Sequence, residues 1–321
     1  MSDIDTRVIM LRAAFCLAVA PAASLRGATR RARAASLRAA SPKRLEYDHL
    51  YHAGSPVDVF KHCVLVALLR RCTEKASPLT YCETHAGRGL YAVGSPEAKT
   101  LAESEDGLGA LRARARGRSR LHGDIAAFIG AQRPDEYAGS AALAAAALRP
   151  GDAAVFFERD GACAGALAGA LARLGAAPET TVEAADGYAG ARRLRAPTRG
   201  LVFVDPPYQS GSDTDQCAAL CGHLRTHWRA ARVAIWYPLG DGDGAARRAD
   251  RLRAAVSAAA GDADVLDARL AVPAGRRLRS SGVLLVEPPY GFDDDLGELL
   301  PELADLLAAG GAADVAWLRR S

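Results

Sequence analysis

Apolar residues in this chain fall into short unbroken runs, most of them closed by an acid or a turn. The runs 79-LTYCE-83, 153-AAVFFE-158, 180-TTVEAAD-186, 201-LVFVD-205, 232-RVAIWY-237, 264-DVLDARL-270, 283-VLLVE-287 and 314-DVAWL-318 predict strands. Several are continuous rather than alternating, as in strands covered on both faces. Ala-rich stretches over 161–174, 213–231 and 244–260 predict helices between them. Strands alternating with helices predict an α/β fold with a mostly parallel sheet. A further helix is predicted over 56–72, with Pro56 suited to its first turn. Phe60, Cys63, Val64, Ala67 and Leu68 form one buried stripe on it. Asp58, Lys61 and His62 share another face, which spacing alone reads as a solvated polar cluster.

The interval after the first strand is too long for a bare crossover, so residues of about 92–150 are expected to hold a helical insertion. Arginines recur there at every second position from Arg112 to Arg120. With Gly117 among them, they predict an exposed, irregular basic patch, either RNA-contacting or simply solubilising.

Charge changes the picture at the N-terminus. The 321-residue chain carries a net charge of +4, but residues 1–45 hold nine Lys or Arg and only two Asp, which leaves the rest slightly acidic. Nucleic-acid binding would therefore rest on local patches, not on an overall field. An acid-poor segment rich in Ala, Arg and Ser has the composition of an organellar transit peptide, so a mitochondrion or plastid is expected, with the cytoplasm as alternative. A disordered basic tail or a misplaced start would look the same. The domain proper is expected to span 46–321. No run of 18 or more uncharged apolar residues occurs, so no membrane helix is predicted. Seven cysteines without a CxxC pair predict reduced thiols and an intracellular compartment.

The candidate chemistry sits at strand ends. The turn 83-ETHAGRGLY-91 places an acid before Gly87 and Gly89, which would let a ligand approach the backbone. It lacks the GK[ST] of a nucleotide triphosphate loop and the GxGxxG of a dinucleotide site. Acid-xxx-Gly-x-Gly is the looser pattern of S-adenosylmethionine sites. Glu158, Asp186-Gly187 and Asp205 close the next strands, where ligands bind in open α/β sheets. Glu158 would accept from ribose hydroxyls and Asp186 from an adenine amine, although any of these acids could be a helix cap.

Asp205-Pro206-Pro207-Tyr208 suits an exocyclic amine on a flat ring. A carboxylate and a proline carbonyl can accept its two hydrogens, and an aromatic can stack on an extruded base. Glu287-Pro288-Pro289-Tyr290 is nearly the same tetrapeptide, but no cofactor pattern leads up to it. A structural or substrate-rim role is expected for it. The series Cys217, Cys221, His223 and His227 resembles a zinc set, but one helix would point the cysteines and histidines apart, so no metal is expected.

Together, 47-YDHLYHAGSPVDVFKH-62, 81-YCETHAGRGLY-91, 183-EAADGY-188 and 203-FVDPPY-208 resemble the ribosomal large-subunit RNA methyltransferase J family. The likeness runs from about Tyr47 to the C-terminus. It departs at Asp48, where the family usually has a basic residue, at Ser55-Pro56, and in a shorter insertion. The resemblance implies a Rossmann-like class I fold and adenine-N6 methylation of 23S-type rRNA with S-adenosylmethionine. It implies Asp205 as catalytic acceptor, with Pro206 and Tyr208 holding the base. His62, His85, Gly87, Ser140, Glu158, Asp186, Gly187 and Asp205 would line the cofactor. Tyr47 and Lys61 would face the RNA or close over the site. A monomer is expected, with rRNA as partner. An adenine-N6 DNA methyltransferase, or a non-catalytic assembly factor that binds cofactor and RNA, are the alternatives.

Overall fold

The computed structural model describes residues 53–92, 104–175, 179–194, 199–209, 211–240, 243–273 and 280–320. Tyr47, Cys16 and the transit-like residues 1–45 lie outside the described residues.

Eight strands build the main sheet: β1 (Leu79–Glu83), β4 (Ala153–Phe157), β5 (Glu179–Glu183), β6 (Arg199–Val204), β7 (Ala231–Leu239), β8 (Val265–Ala271), β9 (Ser280–Val286) and β10 (Ala312–Arg319). Their order is β10-β8-β9-β7-β6-β1-β4-β5. The pairs from β5 to β7 are parallel, whereas β9 is antiparallel to β7 and β8, and β10 to β8. Six strands thus run one way and two the other.

Side-chain alternation along these strands feeds two cores. Tyr81, Phe156, Leu201, Phe203 and Leu285 join one, with α1 (Pro56–Thr73), α3 (Gly123–Ala131), α4 (Ser140–Ala147) and α9 (Phe292–Leu307). Cys82, Phe157, Val202, Val204 and Val286 join the other, with α6 (Gly187–Arg193), α7 (Asp213–His227) and α8 (Asp243–Ala259). Helix α5 (Gly161–Leu174) gives Leu167 and Leu171 to the first.

Helix α1 differs from its sequence reading. It is buried on nearly every face, and Asp58, Lys61 and His62 are buried too. The polar face meets the sheet edge and the inserted elements instead of water. Helix α7 also ends earlier than expected. Trp228 leaves helical geometry, and its indole fills the space above Gly200 that any side chain there would need.

Between β1 and β4 the chain makes an excursion through a π turn (Glu105–Gly109), α2 (Ala110–Ala115), α3 and two short strands, β2 (Leu90–Ala92) and β3 (Glu136–Ala138). The two strands pair antiparallel, and Gly139 N donates to the Gly89 carbonyl (2.9 Å). The chain therefore resumes at Gly139 beside the point where it left, and α4 follows the glycine turn in space. The π turn presses on the start of α1: Leu108 N donates to the Gly54 carbonyl (3.0 Å), and Gly107 lies so close to that oxygen that a Cβ would collide with it.

The arginine-rich stretch is partly spent on the protein itself. Arg112 donates to the carbonyls of Gln132 and Arg133 (both 3.0 Å), Arg114 to Leu306 (3.2 Å), and Arg118 pairs with Asp305. Helix α2 takes in only Arg112 and Arg114; Arg116, Arg118 and Arg120 follow it in an exposed turn and bend, so that half of the stretch is the irregular basic surface expected.

Candidate active site

The chain runs from β1 outward to β4 and β5, then returns to place β6 on the other side of β1. That reversal opens a crevice at the carboxyl ends of β1 and β6, the usual ligand position in open α/β sheets. Glu83 ends β1 and Asp205 follows β6 directly, so the topology puts two acids at the crevice, Glu83 buried beneath it and Asp205 partly open.

Lys61 reaches Asp205 from the second turn of α1. Its ammonium is 2.6 Å from Asp205 Oδ2 and 2.9 Å from Asp58 Oδ1, and lies 5.2 Å from the centre of the Trp236 ring. The start of α1 holds this arrangement. Ser55 Oγ accepts from Asp58 N (3.3 Å), and Asp58 Oδ2 accepts from Gly54 N (3.2 Å). Lys61 is only 2% exposed. It is the buried counter-ion of Asp205 and Asp58.

Glu83 is fully buried. It accepts from the Tyr81 hydroxyl (2.9 Å) and from the Ser140 hydroxyl at the start of α4. Burial pushes its pKa from 4.5 up to about 8, against the two hydroxyls, which favour the ionised form. The folded carboxyl thus stays protonated where the unfolded one has ionised. Stability is highest below about pH 4.5 for this group and is lost as pH rises through about 8. In Glu83→Gln this loss should vanish: the drop in melting temperature between pH 6 and 9 should be smaller than in the wild type. An equal drop in both would remove Glu83 as its source.

The glycine turn follows. Gly87 and Gly89 have φ of +61° and +74°, the left-handed region that glycine enters freely. Gly87 N donates to Glu158 Oε2 (2.9 Å), and Asp160 N donates to Glu158 Oε1 (2.8 Å), so the carboxylate is fixed at the end of β4 with acceptor capacity left on each oxygen. His85 lies between Thr84 Oγ1 (2.8 Å from Nδ1) and the edge of the Tyr188 ring (centroids 5.0 Å apart). Burial lowers its pKa, which keeps the imidazole neutral at neutral pH. His62 is more enclosed: Nδ1 is 2.6 Å from the Tyr137 hydroxyl of β3.

Asp186 lies beyond β5, not at its end. It caps α6, its Oδ1 accepting from Ala189 N (2.8 Å), and its side chain is exposed towards the crevice edge. Gly187, the next residue, is pressed against the Thr84 carbonyl oxygen, where a Cβ would overlap it. Gly187→Ala should therefore push α6 off the Thr84 carbonyl and destabilise the fold by roughly 1–3 kcal/mol, the scale of overpacking. A thermal melt would check this.

Tyr208 has a φ of +51°, uncommon for a bulky residue. Its hydroxyl donates to the Trp236 carbonyl (2.7 Å), and its ring lies 6.0 Å from the Trp236 indole. Trp236, Tyr137 and Tyr188 were not foreseen from the sequence. Trp236 could have been found as the aromatic near the end of the strand next to β6. Tyr137 could not, because β3 finds its partner some 45 residues upstream.

The second tetrapeptide is not at the rim. Strand β9 runs antiparallel, and Val286 pairs with Val233 and Val265 near the starts of β7 and β8. Glu287 and Tyr290 therefore lie at the opposite edge of the sheet. Glu287 takes φ +56° and pairs with Arg225 (3.0 Å), and Tyr290 is 98% exposed. The structural alternative is what remains for this turn. The cysteines and histidines of α7 also part company: Cys217 and Cys221 enter the second core, whereas His223 and His227 stack (4.1 Å) and bond to backbone carbonyls.

Comparison with known proteins gives the family. The chain is 30% identical over 290 residues to "Ribosomal RNA large subunit methyltransferase J" of Escherichia coli K12, covering 85% of this chain and 99% of that one. It is 28% identical over 289 residues to the protein of that name from Haemophilus influenzae, with the same coverage. A crystal structure of a Legionella pneumophila protein superposes with a TM-score of 0.72 at 22% identity, over 83% of this chain and 98% of that one, which supports the fold. Residues 76–319 match the family described as "RsmJ: Ribosomal RNA large subunit methyltransferase D, RlmJ", and the chain belongs to that family.

Proposed function

We propose that the protein methylates N6 of an adenosine in large-subunit ribosomal RNA, with S-adenosylmethionine as methyl donor. The observation that carries this is Asp205: a carboxylate directly after β6, followed by Pro206, at the switch point beside the glycine turn. The residues fit the cofactor. Gly87 and Gly89 let the turn take its left-handed backbone, Gly187 lets α6 pack on the Thr84 carbonyl, and Glu158 stands fixed at the end of β4. Glu158 would take the ribose hydroxyls, His85 and Asp186 would border the adenine end, and Ser140 with Glu83 would border the methionine end. Bound there, S-adenosylmethionine would supply a methyl group made electrophilic by its sulfonium, the C–S bond breaking as the N–C bond forms, the sulfur leaving as a neutral thioether and the amine's surplus proton passing by way of Asp205 to solvent.

The chain's own residues address the acceptor. The adenine amine is a weak nucleophile because its lone pair is delocalised into the ring. Asp205 and the Pro206 carbonyl accept its hydrogens and draw the nitrogen towards tetrahedral geometry. Such a preorganised acceptor acts most strongly where charge develops. Lys61 holds Asp205 in place from behind, and Tyr208 offers a ring for stacking. The rRNA target is that named for the similar bacterial proteins.

The test is transfer of labelled methyl from S-adenosylmethionine to unmodified 23S-type rRNA and to double-stranded DNA, with product nucleosides identified by mass. N6-methyladenosine from RNA supports the proposal. Label in DNA alone, or no label despite cofactor binding, overturns it. We propose organellar targeting for residues 1–45 on their acid-poor, Arg-rich composition; a fluorescent fusion of that segment that stays in the cytosol would rule this out.

A further inference from the structure

Behind Tyr208, the structure holds a string of buried polar groups that the proposed reaction does not use. The Tyr208 hydroxyl has one hydrogen, and it goes to the Trp236 carbonyl oxygen (2.7 Å). Its contact with Cys217 Sγ (4.0 Å) must then be one in which the thiol donates. Having used its own hydrogen, Cys217 can only accept from the Tyr188 hydroxyl (3.5 Å). The Tyr188 hydroxyl also donates to Asp213 Oδ1 (3.4 Å), at the first residue of α7, so its hydrogen is shared between the carboxylate and the thiol. The contacts thus link Asp213, Tyr188, Cys217 and Tyr208 to the strand beside the catalytic acid. Burial pushes the Cys217 thiol up to about 12 and both phenols above their ordinary range, so all three hydrogens stay in place at working pH.

The other end of the string touches the cofactor side. Tyr188 is the second residue of α6, directly after Gly187, and its ring packs on the edge of His85 in the glycine turn. Tyr208, for its part, holds an unfavourable left-handed backbone conformation that needs external bracing. We propose that Tyr188 and Cys217 are positioning residues that brace Tyr208 from behind and fix its ring for the incoming adenine. This rests on the methylation reading. It adds that the ring's placement is set by the α6 and α7 elements next to the cofactor turn, not by the Pro-Pro turn alone.

Plain core packing is the competing account, and the hydroxyl separates the two. Tyr188→Phe keeps the ring and its contact with His85 and removes the hydroxyl that serves both Cys217 and Asp213. Cys217→Ala removes the relay, and Cys217→Ser keeps a donor and an acceptor. The measurements are KM for an adenosine-bearing rRNA hairpin, its Kd by fluorescence anisotropy, the Kd for S-adenosylmethionine, and melting temperature. Expected are about three- to tenfold rises in hairpin KM and Kd for Tyr188→Phe and Cys217→Ala, the scale of one lost hydrogen bond. The cofactor Kd should stay within about twofold, and Cys217→Ser should recover most of the loss. Unchanged hairpin constants, or a fall in melting temperature with no selective effect on the hairpin, would overturn the inference. A wild type that binds the hairpin but transfers no methyl would sink the methylation reading only, and the affinity arm would still decide this one. A wild type that does not bind the hairpin would overturn both.

Discussion

Asp205→Ala should lower kcat for methyl transfer to rRNA by about 10²- to 10⁴-fold, the range for removing a preorganised charged group from a transition state. The side chain is partly open to the crevice and follows β6 without helping to pair it, so the fold should survive. The diagnostic pattern is a fall in kcat with little change in melting temperature. Asp205→Asn sharpens the test, since it retains an acceptor oxygen and loses the charge. If the carboxylate merely orients the amine, the Asn variant should lie well above the Ala variant. If the charge is what matters, the two should be alike. Full turnover in Asp205→Ala would remove the tetrapeptide from the chemistry.

Lys61→Met is expected to act on stability and turnover together. Lys61 is enclosed between two carboxylates, and Asp58 is nearly as buried as the lysine. Removing one partner of a buried ion pair leaves an uncompensated charge and costs about 3–5 kcal/mol. Melting temperature should fall by roughly 10 °C for a chain of this size. Adding Asp58→Asn should recover part of that stability, because it removes the stranded charge. It should not recover turnover, because Asp205 would still lack the ammonium that holds it. Recovery of both by the double variant would make Lys61 a structural counter-ion with no part in the reaction.

The same physical logic separates what could be read in the sequence from what could not. The strands were legible because a strand covered on both faces must be a continuous apolar run. β6, with Leu201, Val202, Phe203 and Val204 feeding both cores, is the plainest case. The acids at strand ends were legible for a related reason: a carboxylate directly after such a run has nowhere to go but the sheet's edge. Asp205, Glu158 and Glu83 all stand there. Helix α1 was legible as a helix, but spacing alone did not mark it as a site, because spacing gives the faces of a helix and not what covers them. Asp58, Lys61 and His62 looked solvated until β6, the π turn and β3 were packed around them.

Direction was also hidden. DPPY and EPPY are near copies in sequence, yet β6 and β9 run opposite ways, so one tetrapeptide meets the crevice and the other the far edge. The sequence by itself determined the alternation of strands and helices, the glycine turn and the acid that follows β6. The tertiary structure decided which acid meets the ammonium of Lys61, which Pro-Pro-Tyr turn stands beside the catalytic crevice, and what braces Tyr208. Those outcomes depend on strand order and direction, which join residues more than a hundred positions apart through contacts that no local pattern encodes.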